Sequence, residues 1–292
     1  MTNITAKMVK ELRDRTGAGM MECKKALTEA EGDMDQAVDA MRKAGQAKAD
    51  KKSSRVAAEG VIRLVTNNNK KFHLVEINCE TDFVAKDENF LEFAEEISKA
   101  SLESYSGSMQ DFYQAKQPNG KTIEEIRLEV ISKLGENVQI RRIQEVNIDS
   151  GFMGHYMHGN KICVTVLLEK EDGDLAKDIC MHIAAMKPVA IDSEGISVKN
   201  LEQEKDIFTA QANESGKPQD IIKKMVDGKM KKYIAEVTLV NQNFVKDSEI
   251  TVEELLKKNN NNVLSFFRME VGEGIEKKDE NFADEVMAQI KK

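Results

Sequence analysis

The chain has no tryptophan, and only 5% of its 292 residues are aromatic. Large ligand pockets are usually lined by aromatic side chains, so this scarcity argues against one. Cysteine is also scarce, and no two cysteines stand in C-x-x-C spacing. Each lies in an apolar or helical setting, which predicts buried, reduced thiols in a cytosolic protein rather than a disulfide framework. The four are Cys23, Cys79, Cys163 and Cys180.

Long apolar segments are absent as well. No run approaches the roughly 18 apolar residues of a membrane span, and residues 1–10 lack the apolar core of a signal peptide. We therefore expect a cytoplasmic protein without a membrane partner. Neither glycine-rich nucleotide loop, G-x-x-x-x-G-K-S/T or G-x-G-x-x-G, occurs. The net charge of −8 argues against nucleic acid as the main partner but leaves a local basic patch open.

Hydrophobic residues make up 40% of the chain and charged residues 32%, which indicates a globular protein of two or three domains with much helical surface. Residues 1–45 have the periodicity of three short helices, capped by Thr5 at the first and Asp33 at the third. The third is predicted over Met34–Lys43, with Gly45 at its end. This small bundle resembles the ubiquitin-associated (UBA) type of domain. Residues 46–55 predict a basic, solvated linker, either helical or extended.

The following part of the chain repeats itself. Gly60–Asp87 aligns without a gap on Gly151–Asp178, and eight positions are identical. Each copy predicts two strands joined at an Asn-Lys turn, a helix that begins after Ala-Lys-Asp, and a later third strand. We therefore predict an α+β fold with two related subdomains, residues 56–147 and 148–275, each a three-stranded antiparallel sheet with helices on one face. The third strands are predicted at Asn137–Asn147 and Val263–Val271.

The second subdomain carries an insertion, residues 193–233, whose pattern is helical apart from Ser215–Pro218. This predicts an antiparallel helical hairpin, or coiled coil, that serves as a docking or oligomerisation arm or as passive decoration. Residues 276–292 predict a final amphipathic helix, and Gly272 and Gly274 before it suggest a hinge. The predicted seam of the hairpin consists of Ile207, Phe208, Ile221, Ile222 and Met225.

Only one cluster has spacing that a metal site could use, namely His155, His158 and Cys163. Strand alternation would prevent an easy convergence of the three side chains, and the sequence offers no evident fourth ligand. We therefore interpret the histidines as surface residues of a hairpin. His182 lies in an apolar helix, where a hydrogen-bonded core histidine is the default.

Three carboxylates, Glu76, Glu80 and Asp82, lie close together in the sequence and could be pictured as an acid–base set. No nucleophile or oxyanion device accompanies them, so the requirements of an active site are not met. The sequence thus gives no reason to expect an enzyme.

The segment Cys79–Glu88 joins a strand-like run, Phe72–Ile77, to a helix-like run, Phe90–Ile97. Asp82 and Phe83 therefore fall on a connection, where functional side chains are often carried. An aromatic ring beside a carboxylate could act there as a wedge that enters another protein. The alternative is that Phe83 folds back into its own core.

Five motifs, in order, resemble the elongation factor Ts family, over nearly the whole chain. The residues between Ser101 and Lys121 are polar and carry no motif of the family. The motifs are I-T-A-K-M-V-K-E-L-R-D-R-T-G-A-G-M-M-E-C-K-K-A-L from Ile4, T-D-F-V-A-K from Thr81, K-L-G-E-N from Lys133, Y-M-H-G from Tyr156, and F-R-M-E-V-G-E-G-I-E near the end.

This resemblance implies a guanine-nucleotide exchange factor for elongation factor Tu, without a cofactor, a metal or covalent chemistry of its own. By likeness, Phe83 enters the partner's G domain near its magnesium site, beside Asp82. Thr81 and Val84 would fix this T-D-F-V tip. The hairpin resembles the family's coiled-coil arm, which can mediate dimeric assembly. Further partner contacts implied by the resemblance are Leu12, Met20, Met21, Lys24, Leu134, Gly135 and His158.

Two other functions stay open at this point. The basic segment Lys48–Arg55 would suit a ribosome- or RNA-associated protein, which steep salt dependence of binding would support. The cluster of His155, His158 and Cys163 would suit a metal-dependent hydrolase, which stoichiometric zinc would support. Neither explains why one copy of the repeat carries T-D-F-V where the other carries D-G-D-L.

Overall fold

The computed structural model describes residues 4–16, 18–67 and 70–276, except the side chains of residues 47, 48 and 50. The predicted final helix therefore lies, apart from its first residue, outside the described part. No described helix is both long enough and apolar enough to cross a bilayer.

The described residues form an α+β structure, as predicted, and group into two compact units, within Met1–Val146 with Glu270–Lys292 and within Asn147–Met269. The finer division into five segments stays a prediction. The helices are α1 Ala6–Thr16, α2 Met20–Glu29, α3 Met34–Lys52, α4 Glu88–Ser104, α5 Met109–Gln114, α6 Ile123–Leu134, α7 Gly173–Met186, α8 Val198–Asn213, α9 Gln219–Val237 and α10 Val252–Lys258. The strands are β1 Glu59–Asn67, β2 Lys71–Cys79, β3 Gln139–Asn147, β4 Phe152–His158, β5 Ile162–Leu168, β6 Asn243–Phe244, β7 Asp247–Thr251 and β8 Val263–Glu270. Two sheets are three-stranded, in the orders β1-β2-β3 and β4-β5-β8, and β6 pairs with β7.

Three helices, α1 to α3, occupy the N-terminal region, as the periodicity predicted. The predicted caps are present: Thr5 Oγ1 accepts from the Met8 amide at 3.3 Å. Asp33 Oδ1 accepts from the amides of Asp35 and Gln36 at 3.0 and 2.9 Å. These bonds satisfy amides that have no partner inside the helix. The small core of the three helices includes Val9, Leu12, Cys23, Leu27 and Ala37.

The third helix is longer than predicted. It was expected to stop before Gly45, but α3 continues through Gly45 to Lys52, so most of the predicted linker is helical. A glycine inside a helix costs roughly 1 kcal/mol relative to alanine. Tertiary packing outweighs that cost here, because Ala49 is buried in the core of the first sheet and Arg42 pairs with Glu125 of α6.

The first three-stranded sheet packs against α4 and α6. Strands β1 and β2 pair antiparallel, with Glu59 opposite Cys79 and Asn67 opposite Lys71. Alternate residues of β2 meet the apolar face of α4, since side chains of a strand alternate between its two faces. Helices α5 and α6, which the sequence analysis did not place, complete this core. Its buried members include Val75, Ile77, Phe90, Phe93, Ile97, Phe112, Ile123 and Ile131.

The second sheet packs against α7. Strands β4 and β5 pair antiparallel, with Phe152 opposite Leu168. Gly154 permits the close approach of α7, because a Cβ there would lie 2.3 Å from the Ala176 Cβ. The β6–β7 pair and α10, also missing from the sequence analysis, add Phe244 to this core. Its buried members include Val164, Val166, Leu175, Ile179, Ile183, Val252 and Leu256.

The two sheets share a backbone feature that supports the predicted repeat. Gly60 and Gly151, equivalent in the alignment, have φ values of +142° and +93°. A Cβ at Gly60 would lie 2.1 Å from the Ile77 carbonyl oxygen, and one at Gly151 would lie 2.5 Å from the Leu168 carbonyl oxygen. Ile77 and Leu168 are also equivalent in the alignment. The same close strand approach therefore requires glycine in both copies.

One prediction from the repeat is wrong. Helix α4 begins at Glu88, directly after Ala-Lys-Asp, but α7 begins at Gly173, so that Ala176–Asp178 lies inside the helix. The reason is the position of the cap. In α7 the carboxylate of Asp172 accepts from the Leu175 amide at 3.0 Å, and this starts the helix ahead of Ala-Lys-Asp.

The predicted helical hairpin is present as α8 and α9, and its turn falls at the predicted break. The predicted seam is wrong for two residues, because Ile207 and Ile221 are 41% and 45% exposed. Successive helix positions differ by about 100° in direction, and their neighbours Phe208 and Ile222 face the seam instead. The observed seam consists of Phe208, Ala212, Ile222, Met225, Val226 and Met230.

The segment after β8 is held in place at Gly272. Its amide donates to Glu76 Oε1 at 2.7 Å, and Arg142 Nη2 donates to the Glu270 carbonyl at 3.1 Å. A Cβ at Gly272 would lie 2.3 Å from the Ala58 carbonyl oxygen. Gly272, which the sequence suggested as a hinge, is thus a packed position.

Candidate functional site

The connection between β2 and α4 forms a short exposed tip. After Cys79 the chain leaves the sheet, and Val84–Lys86 forms one turn of 3₁₀-helix before α4. Phe83 stands at the start of this turn with its residue surface 81% exposed. The alternative that Phe83 folds back into its own core is therefore wrong. The ring is therefore accessible to a partner.

Local packing and hydrogen bonds fix the backbone beneath Phe83. Ala85 is buried in the core of the first sheet, and Val84 packs partly against it. Thr81 accepts twice within the turn: its carbonyl from the Ala85 amide at 3.2 Å and its Oγ1 from the Val84 amide at 3.3 Å. Phe83 is thus the apex of a tight turn whose two sides are held from below.

Charged residues flank the apex on the side of α4. Asp82 is exposed, and its Oδ2 accepts from Lys86 Nζ at 2.7 Å. Asp87 caps α4 and accepts from the backbone and side-chain amides of Asn89 at 2.8 and 2.9 Å. The Asn89 side-chain bond is the main reason why the pKa of Asp87 lies below its usual range. The carboxylate form of this cap is therefore favoured, which suits a helix N-terminus.

Two carboxylates cross-link the base of the tip to the turn after α6. Glu136 accepts from the amides of Glu80 and Thr81 at 3.1 and 3.0 Å, and from Thr81 Oγ1 at 2.6 Å. In return, Glu80 Oε1 accepts from the Asn137 amide at 2.6 Å. Sequence reasoning missed Glu136, although the K-L-G-E-N motif had drawn attention to its neighbours Leu134 and Gly135.

The other predicted contact residues of the N-terminal helices divide into two groups. Met20 and Met21 on α2 are 47% and 77% exposed, and Lys24 is exposed on the same helix. Leu12, in contrast, is fully buried in the core of the three helices. Its prediction as a partner contact is therefore corrected: an apolar side chain at that position serves the bundle's own packing.

The remaining predicted contacts lie at two places. Leu134 is half-buried against the core, while Gly135 is exposed and ends α6 in the left-handed conformation, with φ of 79°. His158 is exposed at the end of β4, where its Nδ1 lies 3.1 Å from the Tyr156 hydroxyl. Leu134 and Gly135 thus lie directly before Glu136, which contacts the tip.

The geometry gives no support to a metal centre. In β4 and β5, Met157 stands opposite Cys163 and His158 opposite Ile162. Side chains alternate between the two faces of a sheet, so His155 and Cys163 share one face and His158 lies on the other. Among the described residues, no three His, Cys, Asp or Glu side chains are grouped to hold a metal ion.

The three carboxylates considered as an acid–base set have separate roles. Glu76 is fully buried and accepts from Arg141 Nη1 at 2.9 Å and from Arg142 Nε at 2.5 Å. Glu80 and Asp82 bond to the neighbours described above rather than to each other. Burial with two arginines and a backbone amide is a structural arrangement, since a buried carboxylate needs such partners.

Buried histidine and cysteine side chains also serve the cores. His182 is fully buried, accepts from the Val245 amide at 3.2 Å through Nδ1, and lies 2.9 Å from Gln242 Oε1 through Nε2. This confirms the prediction of a hydrogen-bonded core histidine. All four cysteines are buried with reduced thiols, and burial raises the pKa of Cys163 to about 12. A thiol with that pKa stays protonated and unreactive near neutral pH.

Comparison with known proteins gives a consistent result. The family model described as Elongation factor TS matches residues 80–273. Proteins named Elongation factor Ts are similar over nearly the full length of both chains: that of Thioalkalivibrio sulfidiphilus is 55% identical over 99% of each chain. Those of Legionella pneumophila (strain Paris) and Francisella tularensis subsp. novicida are 50% and 53% identical over 100% of each chain.

Proposed function

This chain belongs to the elongation factor Ts family, and on that premise we propose that it is a guanine-nucleotide exchange factor for elongation factor Tu. The exposed ring of Phe83, carried on a turn that is fixed from below, is the observation that carries this proposal. Burying a phenylalanine side chain in a partner contributes about 1.5–3 kcal/mol. The tip can therefore bind as an inserted anchor.

The mechanism follows from differential binding. An exchange factor must bind the nucleotide-free state of its partner more tightly than the GDP state, because only differential affinity shifts an equilibrium. We propose that Phe83 enters the G domain near the magnesium site, with Asp82 beside it, and displaces groups that hold magnesium and phosphate. GDP then dissociates. Linkage is reciprocal, so rebinding of nucleotide must weaken the complex by the same factor.

Other surfaces would add affinity without taking part in the displacement. We propose contacts from Met20, Met21 and Lys24 on α2, since methionine side chains adapt to a partner surface. Leu134, which is half-buried, and Gly135 directly precede Glu136, which bonds to the tip, and we propose that they contact the partner there. His158 would contact a second region of the partner. The hairpin, residues 193–233, stays our proposal for dimeric assembly. Its exposed apolar residues Ile207 and Ile221 are suited to such a contact.

The proposed function requires no covalent step. The carboxylates of Glu80, Asp82, Asp87 and Glu136 all have structural partners. We propose that the protein acts through binding alone, in the cytoplasm where translation takes place. Magnesium and nucleotide belong to the partner in this scheme. The chain itself contributes shape, an apolar anchor and charged neighbours.

The test is release of a fluorescent GDP analogue from purified elongation factor Tu, in the presence of excess unlabelled GDP. We expect the release rate to rise with the concentration of this protein and to saturate. Chelation of magnesium by EDTA, without this protein, serves as the positive control for release. If release is fast with EDTA but unchanged by this protein, the proposed function is wrong.

A further inference from the structure

The side chain of Phe83 is largely exposed, so its direction depends on the backbone that carries it. We propose that Glu136 is a positioning residue for the tip, which holds Phe83 in the orientation that the partner receives. This inference rests on the proposed exchange function. A single carboxylate that lies outside the T-D-F-V segment would thus control the geometry of that segment.

Both oxygens of the Glu136 carboxylate bond to the base of the tip. Its two carboxylate oxygens take three hydrogen bonds, two from consecutive amides and one from the Thr81 hydroxyl at 2.6 Å. Bonds to an ionised acceptor are shorter and stronger than bonds between neutral groups. They also fix Thr81, whose Oγ1 accepts in turn from the Val84 amide. The chain of contacts thus runs from Glu136 through Thr81 to both sides of Phe83.

The bonding is reciprocal, so the two segments form one unit. The carboxylate of Glu80, one residue before Thr81, accepts from the Asn137 amide, one residue after Glu136. The Asn137 side chain donates to the Arg55 carbonyl at 2.9 Å, and Arg55 Nη1 lies 3.4 Å from Glu80 Oε2. These contacts tie the turn after α6 to the base of the tip on more than one side.

The backbone of that turn explains why the carboxylate arrives where it does. Helix α6 ends at Gly135 with φ of 79°, a conformation that costs glycine little. This reversal directs the next residue, Glu136, toward the end of β2. The tip is therefore preorganised by a residue from another element. Preorganisation lowers the conformational entropy that is lost on binding. A ring on a flexible loop would lose more of this entropy when it binds.

The direct test measures the same GDP release with Glu136→Ala and Glu136→Gln. We expect the alanine variant to lose on the order of tenfold to a hundredfold in maximal release rate, because misplacement of about 1 Å can cost that much. The glutamine variant should be intermediate, since one amide oxygen can still accept from the two backbone amides. Glu124→Gln is the control: it removes a carboxylate that makes two 2.7 Å bonds to Arg127 in the first turn of α6, at the other end of the helix from Glu136.

Two further readouts separate positioning from general stabilisation. Hydrogen exchange at the amides of Glu80 and Thr81 should accelerate in Glu136→Ala while the core of β2 stays protected. In a Phe83→Ala background, Glu136→Ala should cause no additional loss of exchange activity, because both act through the same ring. Additive losses, or lost activity with unchanged exchange at the two amides, would overturn the proposal.

Failure of this inference is distinguishable from failure of the proposed function. If wild-type protein does not accelerate GDP release, the exchange function fails and the inference falls with it. If wild-type protein is active and Phe83→Ala is not, while Glu136→Ala retains full activity, only the positioning role is refuted.

Discussion

Thr81 and Asp172 occupy equivalent positions of the internal repeat, and the side chain of each accepts from the amide three residues on, Val84 at 3.3 Å and Leu175 at 3.0 Å, yet the chains that follow differ. The Asp172 carboxylate accepts from the Leu175 amide and starts helix α7 at once. Thr81 binds Glu136 through its hydroxyl and amide, and the chain makes an exposed turn before α4 begins. One scaffold thus carries a projecting phenylalanine in one copy and an ordinary helix N-terminus in the other.

Replacement of Asp172 by alanine should therefore affect stability and leave exchange intact. Loss of a helix N-cap costs about 0.5–2 kcal/mol, and the unfolding midpoint in urea should fall accordingly. GDP release at a temperature where the variant is folded should match wild type. Asp174→Ala, an exposed first-turn residue without the capping bond, should cost less, at most about 1 kcal/mol from the helix dipole. An inactive but fully folded Asp172→Ala variant would contradict the division of roles between the copies.

Some of this division could be predicted from sequence. The alignment of Gly60 with Gly151 located both β-hairpins, and the strand-like and helix-like runs on either side located the tip. The start of α7 could not be predicted from the repeat, because Thr81 and Asp172 make the same capping bond. In the first copy the turn ends at Asp87, whose extended backbone starts α4, whereas α7 continues through the equivalent Asp178. The bundle was located by periodicity, but α3 continued past Gly45 because Ala49 packs on a distant core.

Long-range contacts account for most of what the sequence did not reveal. Glu136 carries no pattern that identifies it as a partner of Thr81, since the bond joins residues 55 positions apart. Leu12 and Met21 both follow helical spacing, and only the packing separates a core residue from an exposed one. Ile207 and Phe208 are neighbours in the chain, but only Phe208 faces the seam, because successive positions of a helix point in different directions.

The contrast between Met21 and Leu12 gives a second prediction. Met21→Ala should weaken the affinity for nucleotide-free elongation factor Tu without changing stability, because its side chain is 77% exposed. Leu12→Ala should cost about 2–5 kcal/mol of unfolding free energy, as buried leucines usually do. Calorimetric titration and urea unfolding measure the two quantities. Equal stability of Leu12→Ala and wild type would refute its assignment to the core.

A third prediction concerns the dependence of stability on pH. Burial lowers the pKa of His182, an effect that its hydrogen bond with Gln242 opposes. Because the folded-state pKa lies below the unfolded value of about 6.5, the stability contribution is fully present above that pH and is lost as the pH falls toward the folded pKa. Each such histidine contributes at most about 1.4 kcal/mol per pH unit. His73, whose pKa is also lowered by burial, acts in the same direction.

Urea unfolding between pH 7.5 and 5.5 should therefore show falling stability, with a shallower slope in His182→Gln. Phe244→Leu is the matched control, because it removes an aromatic neighbour of the His182 ring and leaves the imidazole in place. It should lower stability at every pH with the slope of wild type. A His182→Gln variant with an unchanged slope would show that this imidazole does not titrate on unfolding.

The most direct measurement compares the release of a fluorescent GDP analogue from elongation factor Tu with wild type, Phe83→Ala and Val189→Ala. Val189 is a suitable control because it is 63% exposed and lies far along the chain from the tip. An exposed substitution changes stability by about 0.5 kcal/mol or less, so all three proteins should be equally folded. The proposed role of Phe83 predicts rapid release with wild type and Val189→Ala and a large loss with Phe83→Ala. Wild-type rates of release with Phe83→Ala would contradict it.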